Sequence, residues 1–336
     1  MEYRIYRCSY KKTFKRIIMR KALIVGIDYY THQNSLHGCV NDAYAVKTVL
    51  ERHGNGTINF DVKLLTATSE NQLVKRSTLK ENIIELFKSE SEVVFYFSGH
   101  GHIESTGGYL ITSECEEGDQ GLPMIELMDI ANKSKAKNKI IILDSCHSGY
   151  TGTDYHSEDN ALLSKGTTIL TASSKDQYAT EKNGSGVFTS LLVDALNGSA
   201  ANLMGEITPG SVYAHIDQSL GPWQQRPLFK TNIENFVSLR KVHPPIDLED
   251  ILLITTLFEE KGMEYQLDPS YEPESDTPDS ENTKKFAVLQ KYEGVGLVIP
   301  KGASKDHMYH AAMESKSCVL TLLGQHYWNL VKNERI

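Results

Sequence analysis

A histidine and a cysteine each stand just past a short, wholly apolar run. His100 follows VVFYF (93–97) within Ser98-Gly99-His100-Gly101-His102, and Cys146 follows IIIL within Asp144-Ser145-Cys146-His147. A thiol is mostly protonated at neutral pH, and its thiolate is the reactive form. An imidazole within reach takes that proton and later returns it to a leaving amine. His100 and Cys146 therefore read as general base and nucleophile of a thiol hydrolase. Gly99, Gly101 and Gly149 let backbone approach a substrate closely. The N–H groups of Gly101 and Cys146 are candidates for an oxyanion hole, which would stabilise the charge that develops on an attacked carbonyl.

Continuous apolar runs of this length are the signature of strands buried on both faces of a parallel sheet. Such sheets keep their chemistry just beyond the carboxyl ends of the strands. The flanking pattern agrees, because strand and helix signals alternate from Lys21 onward. KALIVGI (21–27), DVKLLTA (61–67), VVFYF, KIIILD (139–144) and GTTILTASS (166–174) read as strands. VNDAYAVKTVLERHG (40–54), STLKENIIELFKSE (77–90), LPMIELMDIANKS, GVFTSLLVDALNG (186–198) and TPGSVYAHIDQSLG (208–221) read as helices. GGYLITSE (107–114) suggests a hairpin, Thr208 a helix cap with Pro209 at the first helical position, and a strand near NFVSL closes the region. Alternation of this kind implies a mostly parallel sheet with helices on both faces.

The 336 residues suffice for one large domain and a small one, and 40% hydrophobic with 23% charged residues is a globular composition. A net charge of −8 disfavours general affinity for nucleic acid or anionic membranes. No run approaches the roughly 20 apolar residues of a membrane span. The five cysteines are odd in number and scattered, which suggests reduced thiols in a cytosol. The first 21 residues hold eight Lys/Arg and one acid without a signal-type apolar core, so 1–18 reads as a basic tail. Residues 264–282 carry seven acids, three prolines and no base, and read as a disordered acidic linker or loop. Beyond it, FAVLQKYEGVGLVIP reads as a helix running into a strand and CVLTLLGQHYWNLV as an amphipathic helix.

FYFSGHGH and LDSCHSG resemble the His and Cys motifs of the caspase–metacaspase clan of cysteine peptidases, nearest to metacaspases and their bacterial relatives. LHGCVNDA (36–43), TASSKDQYATE (171–181), GVFTSLLVDAL and QRPLF (225–229) follow in that family's order, so the likeness covers roughly 20–240. The resemblance implies a caspase-like three-layer α/β sandwich with a mostly parallel central sheet. It makes Cys146 the nucleophile and His100 the base. It places Asp144 and Asp42 as acids of the primary specificity pocket, with Ser98 and Cys39 lining it. Carboxylates beside the nucleophile suit an Arg or Lys side chain, because a buried acid needs a cationic partner. The expected reaction is cleavage of proteins or peptides after Arg or Lys. Caspases proper read QACRG around the nucleophile, and this chain does not.

Metacaspases often bind calcium through clustered aspartates ahead of the nucleophile strand. Here that place reads LPMIEL, so no cofactor and no calcium dependence are expected, although Glu114, Glu116, Glu117 and Asp119 offer another cation arrangement. Neither Cys-x2-Cys nor His-Glu-x-x-His spacing occurs to hold zinc. Gly99 and Gly101 lack the lysine of a phosphate loop. Two carboxylates keep a plainer reading at this point: Asp42 as a cap of the helix beginning near Val40, and Asp144 as a cap of its strand-to-loop turn.

The expected organisation is a basic tail (1–18), a peptidase domain (19–243), a connecting segment with the acidic linker (244–283) and a winged-helix-like adaptor (284–336). That adaptor suits a protein partner or activator better than DNA, since positive charge is sparse. The alternative function is a catalytically silent caspase-fold scaffold. Related bacterial two-part architectures suggest stress response, antiphage defence or cell death. Lys165 is the one basic residue in loop 151–166 where activating self-cleavage could fall.

Overall fold

The computed structural model describes residues 19–146, 151, 153–154, 157–172, 181–182, 185–221, 226–233 and 237–336. The basic tail, His147, Gly149, most of TASSKDQYATE and Gln225 of QRPLF lie outside the described residues. The chain divides into two compact units. One holds the chain up to Asn197 together with Thr208–Arg240, the other Gly198–Ile207 together with Lys241–Ile336.

In the first unit the alternation is realised as β1 (Arg20–Ile27), α1 (Cys39–Glu51), β2 (Phe60–Ala67), α2 (Arg76–Phe87) and β3 (Val93–Ser98). Then follow β4 (Gly101–Glu104), β5 (Gly107–Leu110), β6 (Leu122–Pro123), α3 (Met124–Lys133) and β7 (Lys139–Asp144). The remainder comprises β8 (Thr153–Asp154), β9 (Ser157–Ala161), β10 (Thr167–Thr171), β11 (Glu181–Lys182), β12 (Ser185–Gly186), α4 (Val187–Asp194), β13 (Glu206–Ile207), α5 (Pro209–Ser219) and β14 (Leu228–Asn232). β13 falls in the second unit's share of the chain.

Six strands form the central sheet in the order β14-β10-β7-β3-β1-β2. All neighbours are parallel except β14, which runs antiparallel to β10. β3 and β7 are buried along their whole length, as continuous apolar runs require. One face packs Val93, Phe95, Phe97, Ile141 and Leu143 against Leu79 and Ile83 of α2 and Leu127 and Met128 of α3. The other face is covered by α1, α4 and α5. Three layers result. Burying each large apolar side chain contributes about 1.5–3 kcal/mol, so the strands that carry the site are the best-anchored part of the unit. Gly26 explains the close fit of α1 on β1, because a Cβ there would overlap the Cys39 carbonyl and Ala43.

The closing strand expected near NFVSL is β14; within NFVSL itself residues 237–239 are not strand, and the Ser238 and Leu239 carbonyls take side-chain donors from Arg20 and Asn59. β14 closes the sheet at one end. The Lys165-Gly166 turn opens β10 and is tied on both sides. Lys139 Nζ donates to the Lys165 carbonyl at 2.7 Å, and the Gly166 N–H donates to the Asn232 carbonyl at 2.7 Å.

The second unit contains β15 at its border (Arg240–Lys241), α6 (Leu248–Leu252), α7 (Ile254–Leu257), β16 (Glu264–Gln266), α8 (Ser280–Gly294), β17 (Val298–Lys301), α9 (Met308–Met313), β18 (Ser317–Leu320) and α10 (Leu322–Lys332). Its antiparallel sheet has the order β16-β18-β17. The core gathers Phe258, Phe286, Leu289, Tyr292 and Trp328, and the Trp328 indole N–H donates to the Phe258 carbonyl at 2.7 Å.

The acidic stretch 264–282 is not a disordered linker. Tyr265 and Leu267 enter the core, Asp268 caps the short turn Pro269–Tyr271, and Asp279 caps α8 by accepting from Glu281 and Asn282. Two of its acids thus cap helix starts, while Glu264 pairs with Lys301 and Glu281 with Lys284. Cys318–Leu320 likewise form strand, not helix, because Thr321 caps α10 by accepting from the Gly324 N–H. No helix among the described residues is long and apolar enough to cross a membrane.

Candidate active site

The order of the sheet places a topological switch between β1 and β3: the chain leaves β1 toward β2 on one side and returns to β3 on the other. Crevices outside the carboxyl ends of strands at such a point are where open α/β sheets bind ligands. Three segments meet there: the β1–α1 loop, the turn after β3 carrying His100, and the end of β7 carrying Cys146. Ser98 and Asp144 pair directly as the last residues of their strands. The Gly99 N–H points to the Asp144 carbonyl at 3.3 Å, and Gly101 packs so tightly on the Cys146 carbonyl that a Cβ would overlap it. The residues on both sides of His100 thus run against the stretch that ends in Cys146.

His100 is held by the β1–α1 loop. Its Nε2 lies 2.8 Å from the Asn34 carbonyl, and its backbone N–H donates to the Tyr30 hydroxyl at 2.8 Å. A carbonyl only accepts, so Nε2 must carry the proton, and in the neutral ring Nδ1 is left as the basic nitrogen. This is the tautomer that a general base needs. Tyr30 and Asn34 carry no motif of their own and were not legible as site residues. Gly101 opens β4 beside the Cys146 carbonyl, which brings these two residues together in space.

Beside the dyad lies a buried acidic cluster. Asp42 and Asp144 are 2% and 6% exposed, and Ser98 and Cys39 are buried with them. The Ser98 hydroxyl approaches Asp42 Oδ2 at 3.5 Å, and the Gly186 N–H donates to the same oxygen at 3.0 Å. Asp144 Oδ2 accepts from Thr189 at 2.6 Å. Both carboxylates face Gly186, where a Cβ would overlap Asp144 and lie 3.2 Å from Asp42 Oδ2. Burial pushes the Cys39 thiol well above its usual pKa. The Ser98 hydrogen bond opposes the shift, and the charges of Asp144, Asp28 and Asp42 add to it. Two buried carboxylates beside a neutral thiol make a region that favours a cation.

The plainer reading of Asp42 gives way to a different residue. Asp42 lies inside α1, while Asp28 caps that helix, its Oδ1 accepting from the N–H groups of Cys39 at 2.9 Å and Val40 at 3.3 Å. Of the other acids weighed for a cation, Glu114 accepts the Arg76 N–H at 2.7 Å at the start of α2. Among the described residues no group of three His, Cys, Asp or Glu side chains could hold a metal ion. His102 pairs with Glu104 at 2.7 Å on β4, away from the thiol chemistry.

Residues 19–237 match the family model described as Caspase domain. Over 110 residues the chain is 34% identical to Metacaspase-1 of Meyerozyma guilliermondii, covering 31% of this chain and 24% of that protein. It is 32% identical over 148 residues to Metacaspase-1 of Saccharomyces cerevisiae, covering 39% of this chain and 33% of the relative. With Metacaspase-9 of Arabidopsis thaliana it shares 28% identity over 143 residues, covering 39% and 43% respectively. The chain spans about a quarter to two-fifths of the length of these curated relatives.

Proposed function

The chain belongs to the caspase-domain family of cysteine peptidases, and from that premise we propose that it is an endopeptidase cutting proteins or peptides after Arg or Lys. The observation that carries the reading is the meeting of His100, Cys146 and the Asp42–Asp144 cluster at one sheet edge.

The roles we propose are these. The substrate's Arg or Lys side chain enters between Asp42 and Asp144. His100 Nδ1 takes the thiol proton of Cys146, whose sulfur attacks the carbonyl carbon of the scissile bond. The N–H groups of Gly101 and Cys146 receive the developing oxyanion, and the imidazolium returns its proton to the leaving amine. Water then releases the acyl group from the sulfur, with His100 again acting as base. No metal takes part in these steps, and we expect activity without calcium. The second unit is proposed as a docking module for a protein partner or activator, and the whole as a regulated effector protease.

The test uses fluorogenic peptides ending in Arg, Lys or Asp, with Cys146→Ala as the blank and a chelator in a parallel arm. Cleavage after Arg and Lys, unaffected by chelation, is the expected result. Cleavage after Asp would overturn the acidic-pocket assignment, calcium-dependent cleavage the metal-free one. Absence of any cleavage by the unaltered chain would favour the scaffold reading.

A further inference from the structure

His100 sits between two glycines at the end of a strand, where the backbone has little intrinsic preference for one conformation. A base there must be fixed from outside. Besides the Asn34 carbonyl, the fixing contact comes from Tyr30, one loop away. The Tyr30 hydroxyl accepts the His100 backbone N–H, its ring lies 4.7 Å from the imidazole at a 48° tilt, and its oxygen occupies the space where a Cβ of residue 99 would fall, 2.7 Å away. Gly99 is therefore required by the approach of the phenol.

Tyr30 is itself held firmly. The N–H groups of Asp28 and Tyr29 both bond the Ala67 carbonyl, Thr31 bonds the Ser113 carbonyl, and Leu36 bonds back to Asp28. The phenol is 3% exposed, and burial holds it neutral; the hydrogen bond from the His100 backbone opposes that shift, and the nearby Cys39, Asp28 and Cys115 add to it. A neutral, immobile hydroxyl is a constant acceptor across the working pH range.

We propose that Tyr30 is a positioning residue for the dyad: by accepting the His100 amide and packing on its ring, it aims Nδ1 at Cys146. The role rests on the peptidase reading for its consequence in turnover, but not for its effect on the thiol. An aimed imidazole stabilises the Cys146 thiolate as an ion pair, and a loosened one does so less.

The experiment follows iodoacetamide alkylation of the Cys146 peptide against pH by mass spectrometry, together with kcat and KM on an Arg peptide. Tyr30→Phe keeps the ring and deletes the acceptor. It is expected to move the alkylation inflection up by about one pH unit and lower kcat about tenfold, with KM within about twofold. Gly99→Ala, which keeps Tyr30 but pushes into its hydroxyl, should shift both in the same direction. An unchanged inflection and kcat in Tyr30→Phe, even with a lowered melting temperature, would assign Tyr30 to packing alone and overturn the proposal. If the unaltered chain cleaves nothing while the inflection still shifts, the positioning role stands and the peptidase reading falls.

Discussion

The hydroxyl of Thr189 donates to Oδ2 of Asp144 across 2.6 Å, joining the first turns of α4 to the end of the nucleophile's strand. Thr189 has a single hydroxyl proton and gives it to the carboxylate. Tyr96, whose hydroxyl lies 2.6 Å behind it, must then donate to Thr189. A buried relay, Tyr96 to Thr189 to Asp144, thus fixes the acid that stands two residues before the thiol.

Removing the middle of this relay tests its part in specificity. Thr189→Val deletes a hydrogen bond to a charged group, worth about 1.5–3 kcal/mol. Cleavage of Arg peptides should fall about 10- to 100-fold in kcat/KM, chiefly through KM, with Thr189→Ser near normal. Steady-state kinetics on the three proteins checks this.

At Gly186 and Gly101, as at Gly99, the site leaves no room for a side chain. Gly186→Ala would drive a methyl into both carboxylates, so Arg peptides should lose binding while alkylation of Cys146 persists. Gly101→Ala would meet the Cys146 carbonyl and should suppress turnover, with KM less affected. Comparing KM with alkylation rate separates the two defects.

The raised pKa of Cys39 gives a pH signature. In the folded chain this thiol stays protonated above about pH 8.5, where an unfolded cysteine ionises. The unfolded state then binds fewer protons, so stability falls as pH rises from about 8.5 until the folded thiol itself titrates. Tyr30 and Tyr96, also raised by burial, act in the same sense above about pH 10. Urea midpoints between pH 7 and 10 should decline less in Cys39→Ala than in the unaltered chain.

In the second unit, Trp328→Phe would leave the buried Phe258 carbonyl without its donor. The expected cost is about 1–3 kcal/mol, against about 1 kcal/mol for Asp279→Ala at the α8 cap. Melting curves of the full chain should rank them in that order.

The strands and the two chemical motifs were legible because β3 and β7 are buried on both faces, which leaves an unbroken apolar run with its reactive residue just past the end. Tyr30, Asn34 and Thr189 were not. Each works through a contact that exists only once distant segments converge, and Asn34 contributes a backbone carbonyl that any residue could supply. The acidic stretch was misread for a local reason. Asp268 and Asp279 were counted as charge when they serve as helix caps, and the buried Tyr265 and Leu267 were outweighed by the acids around them.

The turn at Lys165-Gly166 bears on how the enzyme is kept. Lys165 is the only Lys or Arg between Cys146 and β10. A peptidase takes its target as an extended segment with free amide groups. Here the Lys165 carbonyl receives the Lys139 ammonium and the Gly166 N–H binds Asn232, while Gly166 holds a left-handed φ of 78°. The one bond in this stretch that the proposed specificity could recognise is sealed into the start of a strand. We therefore expect the active protein to stay uncut at Lys165, and intact-mass measurement checks this. On that expectation the trigger would fall to the docking partner proposed for the second unit rather than to self-cleavage.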